Sequence, residues 1–280
     1  MNKTLAIFEL MRFDKPIGIY LLLWPALLAL VISTNGDFEY SHLLIVIIGS
    51  ILVRSAGCVI NDIWDKDLDG DVERTKTRPI PSKKLSIFES WAVFGALGLF
   101  SLMLLSLTNT NTILISLCFG FMIVLYPLTK RFFIGPQIFL GLTFNPTIIV
   151  YAMTNELNNP TMIFLYLAVA AKTIAFDSFY GLCDIEDDKK LGINSTPLWW
   201  GSKTLLIIAI LQFAVISFLM VVGFKAELSS AWYIGIILLS GFYFYQHRLA
   251  SQKDFLLAFK NNHWASLYLL FLSVFCFLII

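Results

Sequence analysis

An all-α protein that crosses a membrane many times is the fold class this sequence predicts, and three observations predict it. Of its 280 residues 58% are hydrophobic and only 14% are charged, with a mean hydropathy of +0.78. A soluble domain of this size needs more polar surface to cover its core. The apolar residues gather in runs close to the roughly 20 residues that a membrane helix requires. The charges are confined largely to short loops between those runs, so the net charge of +1 conceals a very uneven distribution.

Taken in order, the apolar runs are Ile17–Ser33, His42–Ile60, Ser86–Leu107, Thr112–Tyr126, Pro136–Met153, Thr161–Tyr180, Leu205–Phe224, Ala231–Tyr245 and Trp264–Ile280. They predict about nine transmembrane helices in a single domain, arranged around a central cavity. The fourth and eighth runs are short. The segment before the first run mixes both charge signs, and no small-residue cleavage site follows, so that run reads as a retained span rather than a signal peptide. Cys58, Cys118, Cys183 and Cys276 are scattered, with no CxxC pair and no Cys/His cluster, which supports neither a disulfide framework nor a zinc site.

Orientation follows from the basic residues. With the N-terminus inside, the cytoplasmic loops hold Lys66, Arg74, Lys76, Arg78, Lys83 and Lys84, then Lys130 and Arg131, then Lys189, Lys190 and Lys203, then Arg248, Lys253 and Lys260. The opposite loops hold Lys225 alone, beside Asp37, Glu39, Glu156 and Glu227. The positive-inside rule therefore predicts an N-in, C-out protein, which suits a bacterial inner membrane. Arg54 and Lys172 fall inside predicted spans, and Asp177 lies near the end of the sixth. Charges at such depth face a wet cavity or a partner, or they serve as structural pairs and snorkelling side chains. For Arg54 both readings stay open.

Two acidic motifs carry the chemistry. The second span runs into Asn61-Asp62-Ile63-Trp64-Asp65-Lys66-Asp67-Leu68-Asp69-Gly70-Asp71, where Asn61, Asp65 and Asp69 recur every four residues. On a helix they form one stripe of oxygen ligands, suited to a hard cation such as Mg²⁺. A merely solvated acidic loop is the alternative, but the mutual repulsion of so many carboxylates itself invites a cation. The sixth span ends in Asp177, Tyr180, Asp184, Asp187 and Asp188, and Asp177, Tyr180, Asp184 and Asp188 again share a stripe. Each motif is followed by basic residues and a Thr-Pro turn: Arg74-Thr75-Lys76-Thr77-Arg78-Pro79, and Lys189-Lys190 leading to Ser195-Thr196-Pro197. That pattern predicts two pseudo-repeated halves, about 17–130 and 131–280. Carboxylates bridged by a divalent cation and flanked by arginines bind phosphate. Among membrane helices, the expected ligand is a diphosphate ester with a lipid tail, and no nucleic-acid partner is expected.

At these residues the chain resembles the UbiA family of intramembrane prenyltransferases, and within it the 4-hydroxybenzoate polyprenyltransferases. The family's first motif, N-D-x-x-D-x-x-x-D with R-T-x-x-R-P, is matched at Asn61, Asp62, Asp65, Asp69, Arg74, Thr75, Arg78 and Pro79. Its second, D-x-x-Y-A-x-x-D-x-x-x-D, is matched at Asp177, Tyr180, Asp184 and Asp188, with Gly181 in place of the alanine. The 4-hydroxybenzoate branch is further resembled in Arg12-Phe13-Asp14-Lys15-Pro16-Ile17-Gly18, Trp24-Pro25, Tyr126-Pro127, Lys130-Arg131, Pro136-Gln137 and Gly192-Ile193-Asn194-Ser195-Thr196. One departure is Phe144-Asn145-Pro146, where the family more often has Gly and Trp. It bears on the wall of the fifth span and on acceptor or chain-length details, not on the reaction class.

The resemblance implies transfer of a polyprenyl group from polyprenyl diphosphate to the ring of 4-hydroxybenzoate, ortho to the hydroxyl, in ubiquinone biosynthesis. It implies Mg²⁺ held by Asn61, Asp65, Asp69, Asp177, Asp184 and Asp188, with Asp65, Asp69, Asp184, Asp188 and Tyr180 at the reacting centre. Arg74, Arg78 and Lys130 would share the diphosphate charge, and Arg131, Arg54 or Arg12 would hold the acceptor's carboxylate, Arg131 being favoured. Tyr180 would shield an allylic cation or simply pack in the core. Two rivals differ in kind. A secondary transporter for an anionic substrate would place its site near the midplane on broken helices. A CDP-alcohol phosphotransferase would carry its acids in one continuous motif, whereas here the two sets lie far apart in sequence.

Overall fold

The computed structural model describes residues 3–70 and 75–278, and among these every regular element is helical. In chain order the α-helices are α1 (Lys3–Leu10), α2 (Ile17–Ser33), α3 (Tyr40–Trp64), α4 (Ile87–Leu105), α5 (Thr110–Thr129), α6 (Pro136–Thr143), α7 (Thr147–Met153), α8 (Thr161–Cys183), α9 (Ile185–Leu191), α10 (Thr196–Trp200), α11 (Thr204–Lys225), α12 (Ser230–Ser251) and α13 (Phe255–Leu278). Asp71, Glu73 and Arg74 lie outside the described residues.

Local sequence explains where helices begin. Ser86 and Glu89 form a reciprocal capping box that starts α4. Asn109 accepts from the Thr112 amide to start α5, and its own amide donates to the Ala152 carbonyl at 2.7 Å, tying α5 to the end of α7. The first apolar run becomes α2 with the expected bounds, while α3, α12 and α13 extend past their apolar stretches into polar residues and α8 runs on to Cys183. By length and composition, six segments among the described residues can cross a membrane: α3, α4, α5, α8, α13 and the unit Thr196–Lys225. The 17-residue α2 is apolar but shorter. The protein is an integral membrane protein. On that criterion the expected nine spans are not reached.

The fifth expected span, Pro136–Met153, is two helices rather than one. Proline cannot donate its missing N–H and disfavours helical geometry in the residue before it, so Pro146 ends α6 at Thr143 and restarts the helix at Thr147. Asn145 satisfies the break from inside: its Oδ1 accepts from the Thr147 amide and its Nδ2 donates to the Tyr166 carbonyl at 2.8 Å.

α8 is the hub, packed against α2, α6, α7, α11 and α13, while α3 packs on α2, α4 and α5. Lys172 is buried on the α13 side of α8, where it donates to Ser266 Oγ and sits over the Phe176 ring. The side chain thus has a packing role between helices. Nearby, Gln212 Nε2 donates to Gln246 Oε1 and Gln246 Nε2 to Asn261 Oδ1, while His247 Nε2 bonds Gln212 Oε1, linking α11, α12 and α13. Interhelical hydrogen bonds of this kind contribute about 0.6–1.7 kcal/mol each in membrane proteins. Gln246→Leu severs the middle of the network, and thermal unfolding of the detergent-purified protein should show a loss of about 1–2 kcal/mol. An unchanged unfolding temperature would remove the network from the list of stabilising contacts.

Candidate active site

The two acidic motifs do not stay on single helices, because each helix stops at an acid. α3 ends at Trp64 and Asp65 is its C-cap (φ −94°, ψ 7°); α8 ends at Cys183 and Asp184 is its C-cap (φ −107°, ψ 5°). Aspartate is a poor helix former, and closely spaced carboxylates repel one another. The expected continuous stripes are therefore interrupted, yet in both motifs the same local turn follows. The Asp69 amide bonds back to the Asp65 carbonyl at 2.8 Å, and the Asp188 amide to the Asp184 carbonyl, also at 2.8 Å. Asp188 belongs to the short helix α9, which closes at Gly192 with φ +65°, a left-handed cap that glycine adopts without strain.

In the first motif Asp62, Asp65 and Asp69 are each engaged by a cationic side chain. Arg12 grips the fully buried Asp62 with two bonds from Nη2, at 2.6 and 2.7 Å, although its backbone must adopt φ +62° to do so. A non-glycine residue there is strained, and the carboxylate and the Glu9 carbonyl hold it in place. Burial is the largest single influence and works against the Arg12 charge, but Asp62, with smaller help from Cys58 and Asp14, outweighs it and keeps the guanidinium pKa above its ordinary value. Arg78 bridges Asp62 at 3.1 Å and Asp69 at 2.8 Å. Lys130, at the end of α5, pairs with Asp65 Oδ2, which also accepts from Asn61 Nδ2 at 3.1 Å. Even so, burial and the neighbouring Asp62 and Asp65 push the Asp69 carboxyl pKa up despite Arg78.

The end of α5 joins the two motifs. Lys130 reaches Asp65 with its side chain while its carbonyl accepts from the Asn194 amide at 2.9 Å, in the loop after the second motif. Tyr126, one turn earlier, is within electrostatic reach of Asp177, Arg54, Asp65 and Asp188. The two acidic ends and Arg54 therefore all lie within electrostatic reach of this one tyrosine. Gln137 fixes the second motif's turn by accepting from the Thr196 amide, and Ser178 bonds Thr196 Oγ1. Tyr180 packs its ring against Phe259, with centroids 4.9 Å apart.

The three arginines expected near the acceptor have different surroundings. Arg12 is occupied by Asp62. Arg131 is exposed and donates to the Trp64 carbonyl at 2.7 Å, satisfying an otherwise unpaired group at the end of α3. Arg54, two turns deeper on α3, has a buried Nε with no partner, and its Cζ lies 5.1 Å from the centre of the Phe144 ring.

Among the described residues no three carboxylate, thiol or imidazole groups already form a closed cage for a metal. The donor set nevertheless fits a hard divalent cation: all the candidate ligands are oxygen donors, and Asp65 Oδ1 is buried with no hydrogen-bond donor beside it. Sequence reasoning missed the Asp62 clamp, Tyr126 and Gln137. Each depends on a partner dozens of residues away, although Asp62, Tyr126 and Gln137 all lay within segments that carry the family resemblance.

The sequence profile of the UbiA prenyltransferase family matches residues 22–275. The 4-hydroxybenzoate octaprenyltransferase of Alcanivorax borkumensis is 41% identical over 262 residues, covering 92% of this chain and 90% of the relative. That of Vibrio campbellii is 39% identical, covering 95% of each. Among solved structures, the apo form of a UbiA homolog from Aeropyrum pernix K1 superposes with a TM-score of 0.80 at 21% identity, over 90% of this chain and 94% of that one. A UbiA homolog from Archaeoglobus fulgidus bound to GPP and Mg²⁺ gives 0.74 at 18% identity, over 98% of this chain and all of that one. At these identities the structural likeness concerns the fold.

Proposed function

The chain belongs to the UbiA prenyltransferase family, and from that premise we propose that it transfers a polyprenyl group to 4-hydroxybenzoate, ortho to the hydroxyl, in ubiquinone biosynthesis. Kinship with 4-hydroxybenzoate octaprenyltransferases along nearly the whole chain carries this reading. The matched acid-capped helix ends around Tyr126 support it chemically. No finding favours a transporter.

Asn61, Asp65 and Asp69 from one motif and Asp177, Asp184 and Asp188 from the other are the residues that would hold Mg²⁺. When bound, the ion neutralises the leaving diphosphate and eases ionisation of the allylic C–O bond. Arg78 and Lys130, already at this corner, and Arg74 of the same motif would share the diphosphate's charge. The electron pair of the broken bond leaves with the diphosphate. The ring carbon ortho to the phenol oxygen then bonds the allylic carbon, and loss of its proton restores aromaticity. The Tyr180 ring, part of the second motif and packed against Phe259, would shield the cation. The basic loops support a cytoplasmic N-terminus and active site in a bacterial inner membrane, with the C-terminus outside. The repeated acid cap supports two pseudo-repeated halves.

For the acceptor's carboxylate the geometry favours Arg54 over Arg12 and Arg131, since it alone of the three is deep and has an unpartnered buried N–H. Arg54→Lys should raise the apparent KM for 4-hydroxybenzoate about tenfold or more, a loss of about 1.4 kcal/mol, because an ammonium cannot reproduce the planar fork. Arg131→Lys should leave that KM unchanged. Steady-state transfer assays separate the two, and the reverse pattern would return the role to Arg131. The overall reaction is tested by incubating membranes with labelled 4-hydroxybenzoate and prenyl diphosphates of several lengths, octaprenyl first, given the relatives' names. No lipid-soluble labelled product at any length would reject it.

A further inference from the structure

Three unusual features of this chain converge on one side chain. The first is Arg54 itself: among the described residues its guanidinium donates no hydrogen bond, and its Nε is buried without a partner. A charged group left so inside a bundle is costly unless something holds it ready for a ligand. The second is Gly18, in the first turn of α2. It is helical, so its conformation gives no reason for glycine, and glycine weakens a helix relative to alanine. Space gives the reason: a Cβ at Gly18 would stand 2.6 Å from Arg54 Nη2 and 2.9 Å from Cζ, well inside van der Waals contact. The third is the break between α6 and α7. Phe144 caps α6 with ψ 51°, and its ring meets the Arg54 guanidinium in a cation–π contact.

The guanidinium is thus packed by carbon from α2 and from the helix break, while its N–H groups remain uncommitted. Asp177 on α8 lies within its electrostatic reach but makes no hydrogen bond to it. A side chain fixed in this way presents a planar donor fork, and the ligand that fits is a planar anion of carboxylate type. We propose that Gly18 and Phe144 are positioning residues that hold Arg54 for the carboxylate of an arenecarboxylate acceptor, and so determine selection of that acid over uncharged phenols. The proposal rests on the reading of Arg54 given above. It also assigns a role to Asn145 and Pro146, whose break and buried amide bonds bring Phe144 to the arginine.

The test compares the full-length protein with Gly18→Ala, Phe144→Leu, Phe144→Tyr and Arg54→Lys in native membranes. Two acceptors are used: 4-hydroxybenzoate and its uncharged amide. Gly18→Ala and Phe144→Leu should each raise the KM for 4-hydroxybenzoate about tenfold, with the KM for octaprenyl diphosphate held within about twofold. Both should lower the acid-over-amide ratio of kcat/KM by a similar factor, and Phe144→Tyr, which keeps the ring face, should restore it. If Arg54→Lys lowers that ratio while Gly18→Ala and Phe144→Leu do not, the positioning role is overturned and the Arg54 reading survives. If Arg54→Lys leaves the ratio untouched, the Arg54 reading falls and takes this inference with it. A rise in both KM values in both variants would mark general damage and also overturn the proposal. Should Gly18→Ala fail to accumulate, Phe144→Leu and its tyrosine counterpart decide the matter.

Discussion

Alanine at Asp65 or at Asp184 is expected to lower kcat/KM for prenyl transfer by about a thousandfold or more, at least about 4 kcal/mol of transition-state stabilisation. The two acids occupy the same structural position, each capping a helix and each receiving the amide of an acid four residues on. If both motifs grip one diphosphate, neither can replace the other, so the single variants should be about as inactive as the double. The protein should remain inserted and monodisperse in detergent, since the apolar helix faces that pack the bundle are untouched, although Asp65→Ala also removes the pairing with Lys130 at the end of α5. Asp187→Ala serves as a control: its carboxylate is half-exposed and pairs with Lys190 at 3.6 Å on the surface of α9, where ion pairs contribute little. Near wild-type turnover in Asp65→Ala or Asp184→Ala would dismantle the two-motif site.

Chelation is the second large effect. Treating membranes with EDTA should abolish transfer, and added Mg²⁺ should restore it, because carboxylates without a cation repel the diphosphate they must hold. Binding of a radiolabelled prenyl diphosphate should disappear with the activity, which distinguishes loss of substrate capture from loss of a later step. Full activity and binding in metal-free membranes would mean that the acids serve another purpose.

Much of this was legible in the sequence because hydropathy and charge placement are local quantities. α2 has the bounds its apolar run predicts, and the acid clusters fall at helix ends as their position beside the apolar runs requires. Two misreadings have one cause each. Pro136–Met153 looked continuous because the residues on both sides of Pro146 are apolar, and hydropathy is blind to a missing N–H. The acid stripes looked continuous because four-residue spacing was carried past the point where Asp65 and Asp184 end their helices. What remained hidden was long-range. Nothing near Asp62 announces that Arg12 will clamp it, and nothing in the fourth run announces that Tyr126 will lie within electrostatic reach of both Asp65 and Asp177. The order of preference among Arg12, Arg54 and Arg131 also turned on such pairings, since two of the three are occupied by partners about 50 or more residues away.

The pairing of Asp65 with Lys130, and of Asp62 and Asp69 with Arg78, has a consequence for biogenesis. A chain leaving the ribosome enters the bilayer long before it meets an ion or a lipid diphosphate. An acidic corner with no counter-charge of its own would stay hydrated and open at that stage, exposing helix ends to proteases and to wrong neighbours. Here the neutralising cations are encoded in the same polypeptide, so the corner is charge-paired before any ion or substrate arrives. On the function proposed above, loading would be a late and reversible exchange of partners, in which Asp65 and Asp69 would turn from Lys130 and Arg78 to a divalent cation and leave those two side chains for the diphosphate.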